Sequence, residues 1–380
     1  MSGPASAVLS AAHAHPQNQP GADEHVGTVL KLSNRMLADV VAALDQIKQI
    51  NKMVHILSMN ARVEAARAGH AGRGFAVVAQ ELTRLSTATD MTARDVEGVT
   101  KATGAQLDSV AKALAFDVTD NRLCDLAANA MDLIDRNLYE RTCDVRWWAT
   151  DSSVVDCLAR GDAAAAAHAS MRLGQILDSY TVYSDLVLCD LQGNIVANGR
   201  PQAYAATVGT RVSQATWFQS ALKTRDGTQF GFESVHPCAL VGHERSLVYS
   251  CVVREGGRVS GRPLGVLGIV FRWDALGQQI IEAMPLSAAE WGNSRATITD
   301  ASGRVLADSD PARVGSTLEF AGRDRLVTEA RGVKMALVDG IPMRVCHARS
   351  AGFETYATHW HCLVLRRVDA ALATVPARAV

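Results

Sequence analysis

The sequence predicts an α + α/β protein: an N-terminal antiparallel helical hairpin coiled coil, then a long helix and two tandem α/β modules. Three observations carry this. Apolar residues recur at three- and four-residue spacing from Val26 to Ala61 without a proline, and the pattern is mirrored from Val78 to Val110 beyond a glycine cluster. The helical period continues from Ala111 to Trp148. After Tyr180 the period falls to two, and a strand–turn–strand segment occurs twice.

The 380 residues suggest two or three domains. Lys+Arg (38) and Asp+Glu (39) nearly cancel, so no charge excess points to nucleic acid or an anionic membrane. Hydrophobic residues make up 48%, enough for real cores, while aromatics are only 5%, which suits Ala/Val/Leu-rich helices. No apolar run reaches the length of about 18 needed to cross a bilayer. Leu264–Phe271 is only strand-length. A basic segment followed by an apolar core is missing at the start, so a soluble, cytoplasmic chain without a transmembrane segment is expected. Eight scattered cysteines with no CxxC pair read as free thiols of a reducing compartment.

Residues 1–23, rich in Ala, Pro, Ser, Gln and Gly, read as a disordered lead-in. Residues 24–112 form the hairpin. Its first seam is Val26, Val29, Ser33, Met36, Val40, Ala43, Ile47, Ile50, Val54, Leu57 and Ala61; its second is Val78, Leu82, Leu85, Val96, Val99 and Val110. Thr89, Thr92 and Thr103 near the second seam suggest an adjustable coil. At the bend, Gly69, Gly72 and Gly74 let the backbone reverse, and Ala65, Ala66, Ala68 and Ala76 let the arms approach closely. Glu64 and Arg67 sit at i,i+3 and can pair. Such an exposed hairpin end suits contact with partner proteins. A phosphate loop is set aside, because no G-K-[ST] follows and no strand precedes the glycines.

Residues 113–180 read as a helical stalk and the start of the C-terminal half, with Gly161 marking a break. The first module is 181–285, the second 286–372, and 373–380 a tail. VLCDLQGNIVANG (187–199) matches TITDASGRVLADS (297–309), with turns at Asp190/Gly193 and Asp300/Gly303. Each is followed by a V-G-[TS] step, Val208-Gly-Thr and Val314-Gly-Ser. Each module returns through 246–253 with 264–271, or 333–348 with 359–366. Each then closes on a helix start, at Trp273–Leu276 and Val368–Ala371.

Chemistry-bearing motifs are scarce. No GxSxG, HExxH, Walker or dinucleotide fingerprint occurs in its proper context, so no catalytic residues and no cofactor are assigned. His359, His361 and Cys362 invite a metal reading with His347. In a strand, however, the two histidines would share a face that Cys362 turns away from, and no metal site is expected.

MNARVEAARAGHAGRGFAVVAQEL (59–82) resembles the signalling tip of bacterial methyl-accepting chemotaxis proteins over residues 45–90. The resemblance implies a dimeric antiparallel four-helix coiled coil that binds the chemotaxis histidine kinase and its coupling protein, with dimers associating as trimers. It puts Ile56, Leu57, Asn60, Glu64, Arg67 and Phe75 in the trimer contact, and Gly72, Arg73, Val77 and Glu81 near the kinase and coupling-protein surface. Lys52, Met53, His55, Arg62 and His70 depart from the family pattern, and Lys52 and Arg62 bring positive charge toward the trimer contact. Glu97 is the only glutamate in the distal second arm, so methylation is not expected.

RNLYERTCDVRWWATD (136–151) and GFETYATHWHCLVLRR (352–367) resemble the first helix and last strands of a double Cache sensor domain. This implies two tandem PAS-like α/β Cache modules, the first holding a small molecule. Tyr183, Arg211, Trp217, Phe218, His236 and Tyr249 are the ligand candidates; Trp217 and Phe218 would equally well pack a helix onto the sheet. Ala215 and Val270 occupy the places of the charged anchors in amino-acid-binding members, so no amino-acid zwitterion is expected. The implied function is a cytosolic, homodimeric chemotaxis transducer, associated with membrane receptor arrays and other chemoreceptors through its partners. The alternative is a non-chemotactic cytosolic ligand-binding or scaffold protein with a degenerate tip.

Overall fold

The computed structural model describes residues 22–368. The lead-in up to residue 21, the tail 373–380 and the helix start after Val368 lie outside the described residues. Two compact units divide at Asn121.

In the first unit, α1 (Ala22–Arg67) is joined to α2 (Arg73–Trp148) by a single 3-10 turn, Gly69–Gly72. α2 is one helix of 76 residues, and the unit boundary falls inside it. The cluster 117–121, poor in helix formers, does not interrupt it. The arms meet along small side chains. Ser58, Ala65, Gly72, Ala79, Ser86 and Ala93 recur every seven positions, and all are buried. The close approach leaves polar groups to pair across it: Asn51 Nδ2 donates to the Ser86 carbonyl at 2.7 Å, and the Ser58 and Thr83 hydroxyls lie 3.0 Å apart. Lys48 on α1 pairs with Glu97 on α2, and Lys101 donates to the same carboxylate at 2.7 Å. Hydrogen bonds from these two ammonium groups hold the Glu97 carboxyl down to about 2.

This corrects the expected seam. Within one chain the buried stripe is the small-residue one, not the apolar one. Met36, Ile50, Leu57, Val78, Leu85 and Val99 are all more than half exposed, at 57–66%. The apolar stripe is left for a surface beyond the two arms.

In the second unit, Asp151 caps α3 (Ser152–Arg160) through the Ser153 amide at 2.9 Å, and Gly161 ends it with φ 65°. Asp162 caps α4 (Ala163–Ser179). The first sheet holds β1 (Tyr183–Asp190), β2 (Ile195–Asn198), β3 (Gly231–Cys238), β4 (Glu244–Arg254) and β5 (Pro263–Arg272), with α5 (Thr216–Leu222) after β2 and α6 (Trp273–Glu282) after β5. α7 (Ala288–Trp291) leads to β6 (Ser294–Thr299) and β7 (Val305–Asp308). α8 (Arg323–Thr328), β8 (Arg331–Val338), β9 (Ile341–Arg349) and β10 (His361–Arg367) complete the second sheet. The sequence reading missed β3, whose Pro237 and irregular register mark an edge strand. It also joined β8 and β9, which reverse at Asp339-Gly340, both at positive φ.

Both sheets are antiparallel with the same plan, β2-β1-β5-β4-β3 and β7-β6-β10-β9-β8. The repeat is exact down to its hydrogen bonds. Asp190 Oδ1 accepts from the amides of Gln192 and Asn194, and Asp300 Oδ1 from those of Ser302 and Arg304. The V-G-[TS] glycines, Gly209 and Gly315, have φ 89° and 88°, and each amide donates at 2.8 Å to the first residue of the second strand, Ile195 or Val305.

One apolar core joins α2, α4 and one face of both sheets. Leu123, Met131, Ile134, Leu138 and Val145 of α2 meet Leu186, Leu267 and Phe271 of the first sheet and Ile298, Cys346 and Val364 of the second. Each such side chain contributes about 1.5–3 kcal/mol by burial. The opposite faces carry two smaller cores, one around Trp217 and Phe218 and one around Val345 and Leu363. Asp135 of α2 is buried in the main core. It accepts from Ser350 Oγ at 2.7 Å, the Gly352 amide at 2.9 Å, and the Thr358 hydroxyl at 2.9 Å. It thereby ties the segment between β9 and β10 to the helix.

Asp135→Ala leaves several buried donors unpaired and is expected to destabilise the second unit by about 3 kcal/mol, while Asp135→Asn, which keeps an acceptor, costs less. Urea denaturation of the two variants checks the order.

Candidate functional site

Of the ten tip residues, the structure exposes nine and buries one. Ile56, Leu57, Phe75 and Val77 are 51–74% exposed, an apolar surface around the bend. Asn60, Glu64, Arg67, Arg73 and Glu81 are exposed with them. Arg67 Nη1 donates to Glu64 Oε1 at 3.1 Å, as the i,i+3 spacing requires. Arg84 pairs with Glu81 at 3.3 Å. Gly72 is the buried member: a Cβ there would lie 2.2 Å from the Ala65 carbonyl oxygen. A side chain at 72 therefore pushes the arms apart, whereas one at Gly74 meets nothing within 4 Å. A groove of about 430 Å³ farther along the arms is lined by Lys48, Asn51, Lys52, His55, Ser86, Thr87 and Asp90.

The six ligand candidates of the first module do not converge. Tyr183 and Tyr249 lie in the core shared with α2. The Tyr183 hydroxyl donates to Asp144, under the guanidinium of Arg141. Burial raises the Asp144 carboxyl above the usual range, against the opposing pull of that hydrogen bond and of Arg141. The Tyr249 hydroxyl lies 2.7 Å from that of Tyr356, and burial pushes its acidity far down. Trp217 and Phe218 belong to the core on the other face, edge to face at 5.9 Å. Trp217 is fixed at both backbone ends: its amide donates to Glu233 Oε2 at 3.1 Å, and its carbonyl accepts from Ser250 Oγ at 2.7 Å. His236 is on the edge strand with Nδ1 2.9 Å from the Ser234 carbonyl, and Arg211 is exposed.

Sequence reasoning missed a cleft of about 540 Å³ at the end of α2, lined by Trp147, Asp151, Arg172, Ile176 and Tyr180 among others. It also missed a polar cluster in the second module. His359 is not in a strand: it has φ 56°, and β10 begins at His361, so the shared face expected of His359 and His361 does not exist. Instead His361 Nδ1 meets His347 Nε2 at 2.9 Å, both rings buried. Burial, with the charges of Arg323 and Arg349 nearby, lowers His347 to about 3 and His361 to about 4. Among the described residues no group of three metal-ligating side chains comes together, and all eight cysteines are free thiols. No described helix is long and apolar enough to cross a membrane.

Residues 5–131 match the methyl-accepting chemotaxis protein (MCP) signalling domain. The chain is 40% identical over 73 residues to the methyl-accepting chemotaxis protein CtpM of Pseudomonas aeruginosa, covering 19% of this chain and 13% of that protein. It is 33% identical over 111 residues to NahY of Pseudomonas putida, another methyl-accepting chemotaxis protein, covering 29% of this chain and 19% of that one. The chain thus spans less than a fifth of the length of these relatives. The crystal structure of the ligand-binding domain of the Campylobacter jejuni chemoreceptor Tlp3, in complex with 4-methylisoleucine, matches with a TM-score of 0.50 at 11% identity. That match covers 69% of this chain and 94% of that domain, and it shows the fold. The architecture is the expected one: a helical hairpin whose sequence matches the MCP signalling domain, a long helix, and two tandem modules each built on a five-stranded antiparallel sheet.

Two outcomes follow from this geometry. Gly72→Ala should lower the helicity and melting temperature of the hairpin, with Gly74→Ala much milder; circular dichroism of the two variants separates them. The neutral His347 and His361 take up protons only when the chain unfolds, so stability present above pH about 6.5 should be lost as pH falls toward 4. The slope is up to about 1.4 kcal/mol per pH unit for each histidine. Denaturation midpoints measured from pH 7 to pH 4.5 should show that slope, reduced in His361→Asn.

Proposed function

We propose that this chain, carrying an MCP signalling hairpin and a Cache fold, is a chemotaxis signal transducer: its Cache half binds a small ligand and its hairpin tip controls the chemotaxis histidine kinase. The observation that carries this reading is the tip itself. An apolar and charged surface of nine exposed residues surrounds a bend that only glycine at position 72 permits. Solvated apolar side chains such as Phe75, 74% exposed, are costly unless a partner covers them. On this reading the kinase and its coupling protein are those partners, and the hairpin works in the cytoplasm where they are, near receptor arrays and other chemoreceptors.

A homodimer accompanies the reading. Each chain leaves its apolar stripe exposed, and a second hairpin would bury both stripes in a four-helix bundle. Sedimentation at micromolar concentration should give a dimer; a monomer would remove the bundle from the reading.

Glu64→Ala and Arg67→Ala should each abolish kinase control in a reconstituted mixture of kinase and coupling protein. The pair is solvated, with side chains 69% and 78% exposed, so the melting temperature should stay within a degree or two. Unchanged kinase activity in both variants would instead favour a scaffold or ligand-binding protein with a degenerate tip. A flexible Gly-rich insertion at Thr119, inside α2, should preserve ligand binding and uncouple it from the kinase.

A further inference from the structure

The cleft at the end of α2 is lined by no strand residue. Its volume, about 540 Å³, falls within the range of small-molecule sites. One wall is a single stripe of α4: Arg172, Gln175, Ile176 and Ser179, at i, i+3, i+4 and i+7. The other is the last turn of α2 and the cap of α3. Aromatic rings line it between them. Trp148, 6% exposed, meets Tyr180 edge to face at 5.1 Å, so both are held in place. Trp147 stands beside them and is 69% exposed. A tryptophan ring left in water next to two fixed aromatics is apolar area that a ligand can cover.

Two opposite charges meet in the same cleft. Asp151 Oδ1 is committed to the cap of α3, where it accepts from the Ser153 amide at 2.9 Å and the Ser153 hydroxyl at 2.6 Å. Its Oδ2 lies 3.7 Å from Arg172 Nη2, too far for a hydrogen bond. Burial opposes the Asp151 charge, but the Ser153 hydrogen bonds and the Arg172 charge hold the carboxyl below its usual range. It is therefore an anion at neutral pH. Arg172 Nη1 donates to Gln175 Oε1 at 2.8 Å, which occupies that acceptor. The carbonyls at the end of α2 are spent as well. That of Trp147 accepts from the Thr150 amide and hydroxyl, and that of Trp148 from the Asp151 amide. A primary ammonium brings three N–H donors and would find few acceptors left besides Asp151 Oδ2. A quaternary ammonium brings none, and its methyl groups suit aromatic faces. The C-terminal end of α2 also favours a cation here.

We propose that this cleft binds a small zwitterion that joins a quaternary ammonium to a carboxylate. The methylated nitrogen sits against the aromatic rings beside Asp151, and the carboxylate takes the Arg172 guanidinium. The ligand replaces the loose pair that the two side chains make without it. A bare cation would be repelled by Arg172 and a bare anion by Asp151, whereas the zwitterion meets both. This gives the small-molecule binding of the proposed function a place and a ligand class, and it rests on that reading only for its signalling meaning.

The test is calorimetric titration of the full chain with four probes: glycine betaine, glycine, tetramethylammonium chloride and sodium acetate. Concentrations stay in the low millimolar range, where exclusion of osmolytes from the protein surface is negligible. Glycine betaine should bind saturably, and the other three at least tenfold more weakly. Trp147→Ala and Arg172→Gln alter exposed side chains, 69% and 44%, so the melting temperature of the free protein should hardly change. Each should weaken betaine binding at least tenfold. The proposal is overturned if betaine does not bind, if both variants bind it as the parent does, or if glycine or tetramethylammonium binds as tightly. Binding is read without the kinase, so its failure leaves the tip reading standing, and loss of kinase control leaves the cleft standing.

Discussion

The burial of one face of α2 against both sheets is the constraint on which the second unit depends. Neither five-stranded sheet can solvate the face that carries Leu186, Leu267 and Phe271, or Ile298, Cys346 and Val364. Each needs an apolar cover, and the same helix supplies it to both. Leu123, Met131, Ile134 and Leu138 recur at helical spacing because they face a continuous apolar surface. Asp135, a polar group inside that core, is paired with Ser350, Gly352 and Thr358.

The first unit obeys a different rule. Its two arms touch through serine, alanine and glycine, so their backbones approach closely and little apolar area is buried between them. A helix pair of this kind has modest stability alone, because helical stability comes mostly from burying an amphipathic face. The larger apolar side chains, Met36, Ile50, Leu57, Leu85 and Val99, stay exposed on another stripe.

Much of this was legible in the sequence. Periodicity gave both arms and the long helix, and the paired Asp-x-x-Gly turns gave the duplicated module, because those signals are local. The choice of buried stripe was not legible, since alanine and serine carry little hydrophobic signal and the larger Met36 and Leu57 dominate any pattern. The bend was readable because a short glycine motif marks it. The placement of the six ligand candidates was not readable, because alternation along a strand assigns a face only when the register and bulges are known. Irregular pairing at Tyr183/Asp185 and at Glu233/His236 sets which way β1 and β3 present their side chains. His359 looked like a strand residue from its neighbours, and only its positive φ removes it.

The strand order has a consequence for how the chain comes to fold. In each sheet the last strand in sequence is the central one: β5 lies between β1 and β4, and β10 between β6 and β9. Until Arg272 has left the ribosome, β1 with β2 and β3 with β4 are two separate hairpins with no shared edge, and the second sheet waits likewise for Arg367. Nascent chains therefore expose unpaired strand edges for the whole synthesis of each module. The unit is vulnerable to loss of even a few residues of β10, since that removes the middle of a sheet and not its margin.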